Sequence, residues 1–312
     1  GLSQWEVATE IDNCAALFEL AIGGIRQQTR ATILWASFEP PTYPALGIAD
    51  SQSEHGQTVS IARLNARLRD ALQTVPSAYL IDLGTIALKL GTNAFYDLRY
   101  WHLSKAPYSR RTLSYVAAEA FKFIRAKRGH ARKCLVLDCD NTLWGGIVGE
   151  DGLGGIELGS DFPGSSYVEF QQQILDLRAR GVLIAVLSKN NEDDVWEVFD
   201  TRHDMLLKRE HLSAWRVNWR DKASIMRELA QELNIGLDSM VFVDDSDFEL
   251  NLISNQIPEV LVIKAQARKA SESRWKLASL GVFDLPELTD EDRKRNVMYA
   301  QDSARRDESE TI

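Results

Sequence analysis

Hydrophobic positions in the second half of the chain fall into short unbroken runs set between amphipathic stretches. Residues 182–187 are six apolar residues in a row, the pattern of a strand buried on both faces. Similar runs predict strands at 133–137, 240–243 and 259–263. Between them, helical spacing predicts helices at 167–180 (closed by Gly181), 192–199, 222–233 and 248–254. Strands alternating with helices imply a parallel, doubly wound sheet, whose ligands bind at the carboxyl ends of its strands.

The first half has a different texture. A helix is expected at 10–29, with Leu17, Phe18, Leu20, Ala21 and Ile25 near helical spacing, and a second at 59–73. Short strands are expected at 32–35 and 79–82, the first stopped by Pro40 and Pro41. A strongly periodic helix at 110–127 carries Leu113, Val116, Ala117, Ala120, Phe121 and Ile124 and ends in a basic turn before Gly129. These patterns give an α/β fold class with two domains, 1–130 and 131–312. The smaller α/β layer precedes the doubly wound sheet, and the charged tail after Thr289 is expected to be a solvated helix.

Composition narrows the picture. The chain has 312 residues with a net charge of −9, a poor match for a nucleic-acid or anionic membrane surface. No apolar run approaches the roughly 20 residues of a membrane span. The first ten residues lack the features of a secretory leader, and the abrupt start points to a piece of a longer polypeptide. Three cysteines, Cys14, Cys134 and Cys139, form no disulfide framework or metal pair and fit a reducing, cytoplasmic compartment.

The chemistry-bearing residues cluster at predicted strand ends. Asp138-Cys139-Asp140-Asn141-Thr142 closes the first strand of the second half, Ser188-Lys189-Asn190 follows the next, Lys222 opens a helix, and Asp244-Asp245 closes a third strand. Four carboxylates at two strand ends need a cation, and an all-oxygen site favours Mg²⁺.

This order of segments resembles the haloacid dehalogenase superfamily of phosphatases and phosphotransferases. The resemblance implies that Asp138 is the nucleophile and Asp140 the general acid/base. Ser188 and Lys222 would hold the phosphoryl oxygens. Asp138, Asp244, Asp245 and Asp140, the last through its backbone carbonyl, would hold Mg²⁺. The glycine-rich segment 144–152 is expected to fold over the site as a flap. Thr142, Trp144, Gly145, Lys189 and Asn190 complete the expected substrate-binding set. The spacings 142–188 and 222–244 leave no room for a cap domain, so the site should be open.

A narrower resemblance, carried by residues 133–152, 100–109, 187–191 and 284–299, is to the FkbH-like, cap-less (subfamily IIIC) branch. It implies a glyceryl unit taken from the small phosphorylated three-carbon substrate 1,3-bisphosphoglycerate. Phosphate is removed, and the unit is loaded on the phosphopantetheine thiol of an acyl carrier protein in polyketide assembly. Cys139 is the candidate for an enzyme thiol that carries the acyl group. Where the family has Asn-Pro after its aspartate pair, this chain has Ser246-Asp247, which would add a carboxylate beside the metal. In longer members the first half resembles an SGNH-hydrolase layer. Here Ser37 lacks the usual nucleophile block, and Asp97 and His102 could echo an Asp/His pair, so that half is expected to support and dock. Arg99, Lys105, Arg110 and Arg111 are the candidate contacts for an acidic carrier. Two other readings remain: a plain phosphatase on a small phosphate ester, and a degenerate scaffold domain.

Overall fold

A computed structural model of the protein describes residues 4–292. The basic half of the charged tail, Arg293 to Arg295, and the end of the family-like run 284–299 lie outside the described residues. The chain divides into two compact units between Ile124 and Arg125.

The first unit begins with α1 (Gln4–Gln28), followed by β1 (Ile33–Ala36), α2 (Gln57–Gln73) and β2 (Ala78–Ile81). The two strands pair in parallel, Ile33 opposite Ala78 and Ala36 opposite Ile81. Three short helices come next, α3 (Leu83–Leu90), α4 (Thr92–Phe95) and α5 (Leu98–Ser104), none of which the periodicity announced. Each is only one or two turns long, too short for a 3.6-residue repeat to register. Two of them start on an aspartate cap: Asp82 accepts the Gly84 N–H and Asp97 the Arg99 N–H. The long helix α6 (Arg110–Lys127) matches its predicted span. Its Val116, Ala120 and Phe123 pack onto Ile81, Ile86 and Phe95, while Leu113, Phe121 and Ile124 stay exposed.

The second unit continues with β3 (Cys134–Leu137), α7 (Val148–Gly155), α8 (Gly164–Ala179), β4 (Leu183–Ser188), α9 (Glu192–Thr201), β5 (Ala214–Val217), α10 (Lys222–Glu232), β6 (Met240–Asp244), α11 (Asp247–Gln256), β7 (Leu261–Lys264) and α12 (Ala270–Leu280). All five strands are parallel, in the order β5-β4-β3-β6-β7. The chain lays down β3, β4 and β5 outward and then returns to place β6 on the other side of β3. The strand order therefore reverses between β3 and β6, where a doubly wound sheet binds its ligand. The edge strand β5 escaped the sequence reading because Arg216 interrupts a run of only four residues, of which Ala214 and Val217 alone are buried.

Period-two alternation sorts the strand residues between two cores. Leu135 and Leu137, Ile184 and Val186, and Val241 and Val243 join the core that includes α8, α9 and α12. Cys134 and Val136, Leu183 and Ala185, and Met240 and Phe242 join the core with α10 and α11. The connection from β3 to β4 holds only α7 and α8, and that from α10 to β6 only one short 3-10 turn, so neither contains a cap domain. Among the described residues no helix is long and apolar enough to cross a membrane.

Candidate active site

The alternation that builds the sheet also aims the site. Asp138 extends β3 by one residue, its N–H donating to the Val243 carbonyl. Asp138 and Asp244 share the parity of Val136 and Phe242, so they point to the side on which α10 begins. Lys222, the first residue of α10, is 2% exposed and reaches both carboxylates: Nζ lies 2.6 Å from Asp244 Oδ2 and 3.2 Å from Asp138 Oδ1. Burial opposes the Lys222 ammonium, but Asp138 and Asp244 outweigh it and hold the group above its usual value. Burial, and then the charge of Asp138, push the Asp244 carboxyl up to about 6 against the pull of Lys222.

Carboxylate oxygens of Asp138, Asp244 and Asp245 lie within 4.8 Å of one another. Asp138 Oδ1 is buried with no hydrogen bond and lies 3.2 Å from Lys222 Nζ. One lysine cannot neutralise three clustered carboxylates, so the donor set fits a hard divalent cation such as Mg²⁺. Asp245 is raised by burial and by Asp138, and the Asn141 side chain steadies it. The Asp140 carboxylate stands outside this trio.

Asp140 has its own setting. Its Oδ1 accepts the Trp144 indole N–H at 2.8 Å and the Val148 N–H at 3.0 Å, and its Oδ2 accepts Asn190 Nδ2 at 2.8 Å. Burial pushes this carboxyl up to about 6 despite those donors, with Asp138 and Asp245 adding to the rise. Trp144 and Asn190 were expected to bind substrate. Trp144 is 0% exposed, and its single polar atom is taken by Asp140, so it cannot line an open site. Asn190 is also buried, and its amide serves Asp140 in the same way.

The other expected residues are placed as follows. Cys139 shares the parity of Leu135 and Leu137 and is fully buried in the same core. Burial and Asp138 push its thiol far up, although the Ser188 hydroxyl lies against it. Fully buried and facing the core, the Cys139 thiol is not accessible, which runs against an acyl-carrying role. Ser188 is buried at the end of β4. Thr142 is buried, its hydroxyl without a protein partner. Gly145 exchanges two backbone hydrogen bonds with Glu157, at 3.0 and 2.8 Å, and a Cβ there would fall 2.4 Å from Glu157 Oε2. Close approach explains this glycine. The expected flap is helical as α7 from Val148 onward and kinks at Gly152, φ +66°.

Lys189 Nζ pairs with Glu249 Oε1 at 2.7 Å, and Glu249 is mostly buried. Sequence reasoning missed Glu249, although Ser246-Asp247-Phe248-Glu249 has the spacing of a capping box. Here the box is half closed. Ser246 Oγ accepts the Glu249 N–H, but the Ser246 N–H donates to Asp244 Oδ1 at 2.7 Å. The Glu249 side chain is left free for Lys189. Asp247, expected beside the metal, is 70% exposed and pairs with Lys264 instead. Gln171 was also missed. Its buried amide donates to the Leu143 carbonyl and accepts from Leu206 and Leu207, tying the segment after the site to α8.

In the first unit no Ser/His/Asp arrangement forms around Ser37. Its hydroxyl accepts the Leu83 N–H and contacts Asp82, Asp97 caps α5 and binds Arg99, and His102 is exposed.

No protein-family model matches the chain. No curated protein matches it either. Among solved structures, it is similar to the N-terminal part of the protein BF1531 from Bacteroides fragilis, which contains a phosphatase domain and is complexed with Mg. The identity is 28% and the TM-score 0.79, over 91% of this chain and 78% of that one. Weaker similarity extends to the cobalt-bound deoxy-D-mannose-octulosonate 8-phosphate phosphatase of Haemophilus influenzae, at 12% identity and a TM-score of 0.33, over 49% of this chain and 90% of that one. A HAD family enzyme of Bacteroides thetaiotaomicron in complex with magnesium and inorganic phosphate matches at 13% identity and a TM-score of 0.31, over 44% of this chain and 95% of that one. With its motif segments gathered at the carboxyl edge of a β5-β4-β3-β6-β7 sheet, the protein carries the α/β fold of that Bacteroides fragilis protein part, which contains a phosphatase domain.

Proposed function

We propose that this chain is an Mg²⁺-dependent phosphatase that works through an aspartyl-phosphate on Asp138. The observation that carries the reading is the buried Lys222 ammonium between Asp138 and Asp244, with Asp245 closing the oxygen cluster. The similar Bacteroides fragilis protein part, which contains a phosphatase domain and is complexed with Mg, supports it.

Asp138 would attack phosphorus and Lys222 would neutralise charge on the equatorial oxygens. Asp140, two residues on, would give a proton to the departing oxygen and later take one from the attacking water. The cation, held by Asp138, Asp244, Asp245 and the Asp140 carbonyl, would supply charge neutralisation at the phosphoryl group. Ser188 would hold a phosphoryl oxygen. The test is phosphate release from p-nitrophenyl phosphate with Mg²⁺, with chelator, and in Asp138→Asn. Chelator should stop release and added Mg²⁺ restore it. Asp138→Asn should lose at least about a thousandfold in kcat, because an amide is a far weaker nucleophile. Full activity in chelator, or near wild-type turnover of the variant, would overturn the reading.

The finer reading rests on the FkbH-like resemblance of residues 133–152 and 100–109. In it, the substrate is 1,3-bisphosphoglycerate and the glyceryl unit goes to an acyl carrier protein. Since Cys139 is buried, the carrier's own phosphopantetheine thiol would attack the acyl phosphate directly. Of the four cations in residues 98–111, Arg99 is paired with Asp97, and Lys105, Arg110 and Arg111 are those an acidic carrier would meet. Intact mass spectrometry of enzyme and holo carrier after incubation decides it. A phosphate-free glyceryl adduct on the carrier supports loading, and phosphate release with no adduct supports the plain phosphatase.

A further inference from the structure

Asp140 is held so that its two oxygens are not equivalent. Oδ1 accepts two N–H groups, from Trp144 and Val148, which fill both of its lone-pair directions. Oδ2 accepts only from Asn190 and has one direction left. The Asn190 amide is itself oriented, because its Oδ1 accepts the Asn191 N–H at 2.9 Å. Trp144 has no freedom to let go. Its ring is fully buried in the core, meets Phe199 edge-on at 6.3 Å, and would leave its N–H unsatisfied without Asp140.

We propose that Trp144 and Asn190 are positioning residues that make Asp140 Oδ2 the oxygen through which the leaving group is protonated. The proposal rests on the phosphatase reading and specifies how its acid is aimed. In the first step an Asp138 oxygen forms the new bond to phosphorus and the ester P–O bond breaks. The proton on Asp140 Oδ2 passes to the departing alkoxide. In the second step water attacks the aspartyl-phosphate, the P–O bond to Asp138 breaks, and the water proton returns to Oδ2. If either donor is lost, the carboxyl can turn and present the wrong oxygen. The shared hydrolysis of the aspartyl-phosphate then slows for every substrate, but the first step, read as kcat/KM, slows only where the leaving group needs a proton.

The experiment compares two substrates with the Mg²⁺-supplied full chain. p-Nitrophenolate departs without protonation, whereas the alkoxide of glycerol phosphate does not. For Trp144→Phe and for Asn190→Ala, kcat/KM on glycerol phosphate should fall at least about tenfold further than kcat/KM on p-nitrophenyl phosphate, since kcat/KM reads the steps up to leaving-group departure and positioned acid catalysis contributes roughly a hundredfold or more. Equal losses of kcat/KM on both substrates would mean that the residues only support the fold and would overturn the proposal, as would no loss of kcat/KM on glycerol phosphate. Should Trp144→Phe lose its native circular dichroism, Asn190→Ala, which sits in the turn after β4, decides alone. A wild type that releases phosphate from neither substrate would sink the phosphatase reading and this proposal with it; a working wild type with matched losses would sink only the proposal.

Discussion

The two units handle polar residues at strand ends in opposite ways. In the second, every residue of β3, β4 and β6 is buried, and at their carboxyl edge the structure keeps Lys222, Asp138 and Asp244 almost free of solvent. In the first, only the end residues of β2 and the first of β1 are buried. Its strand-end groups are used locally: Asp82 caps α3, and Ser37 binds the N–H that follows it. The contrast shows what a reactive cluster demands. Buried charges are costly unless paired and rigidly held. A five-stranded sheet covered on both faces can hold them, whereas a two-stranded layer leaves its polar groups to satisfy their own backbone.

Mutations sharpen this contrast, and the largest effect is expected at its charged centre. Lys222→Met leaves Asp138 and Asp244 facing each other without a cation. It should cost about 3–5 kcal/mol of stability, and Mg²⁺ should raise the melting temperature of the variant more than that of wild type. A thermal melt with and without Mg²⁺ checks it, and an identical Mg²⁺ response in both proteins would count against the metal trio.

The cores come next. Leu135→Ala in β3 removes a fully buried side chain and should cost about 2–5 kcal/mol. Leu103→Ser in α5, where the native side chain is 80% exposed, should stay within about 0.5 kcal/mol. Urea denaturation of both variants reads this difference directly, and a comparable loss from Leu103→Ser would show that α5 is packed against something in solution.

Ser37 is expected to fall between these two. Ser37→Ala deletes an acceptor for the Leu83 N–H and should cost about 1 kcal/mol. Phosphate release should be unchanged. A loss of activity at native stability would mean that the first unit takes part in the chemistry.

The order of motif segments, the strands that carry them and the long helices were legible in the chain because each depends on local periodicity. Residues 182–187 could hardly be anything but a strand buried on both faces, and β4 spans Leu183–Ser188. The burial of Cys139 was not legible: β3 is buried on both faces, so alternation groups Cys139 with Leu135 and Leu137, but only the packed helices show that this face is closed at the strand end.

What the tertiary structure alone decided is which distant groups meet. Nothing near Trp144 in the chain says that its indole completes Asp140 together with Asn190, 50 residues away from that aspartate. Nothing at Lys189 announces Glu249, 60 residues on, which becomes available only because Asp244 has taken the Ser246 N–H. A hydrogen-bond partner is set by the closure of the sheet and the packing of helices on it, and periodicity carries no information about that closure. Local pattern therefore determined where reactive side chains would stand, and the fold determined what each of them would touch.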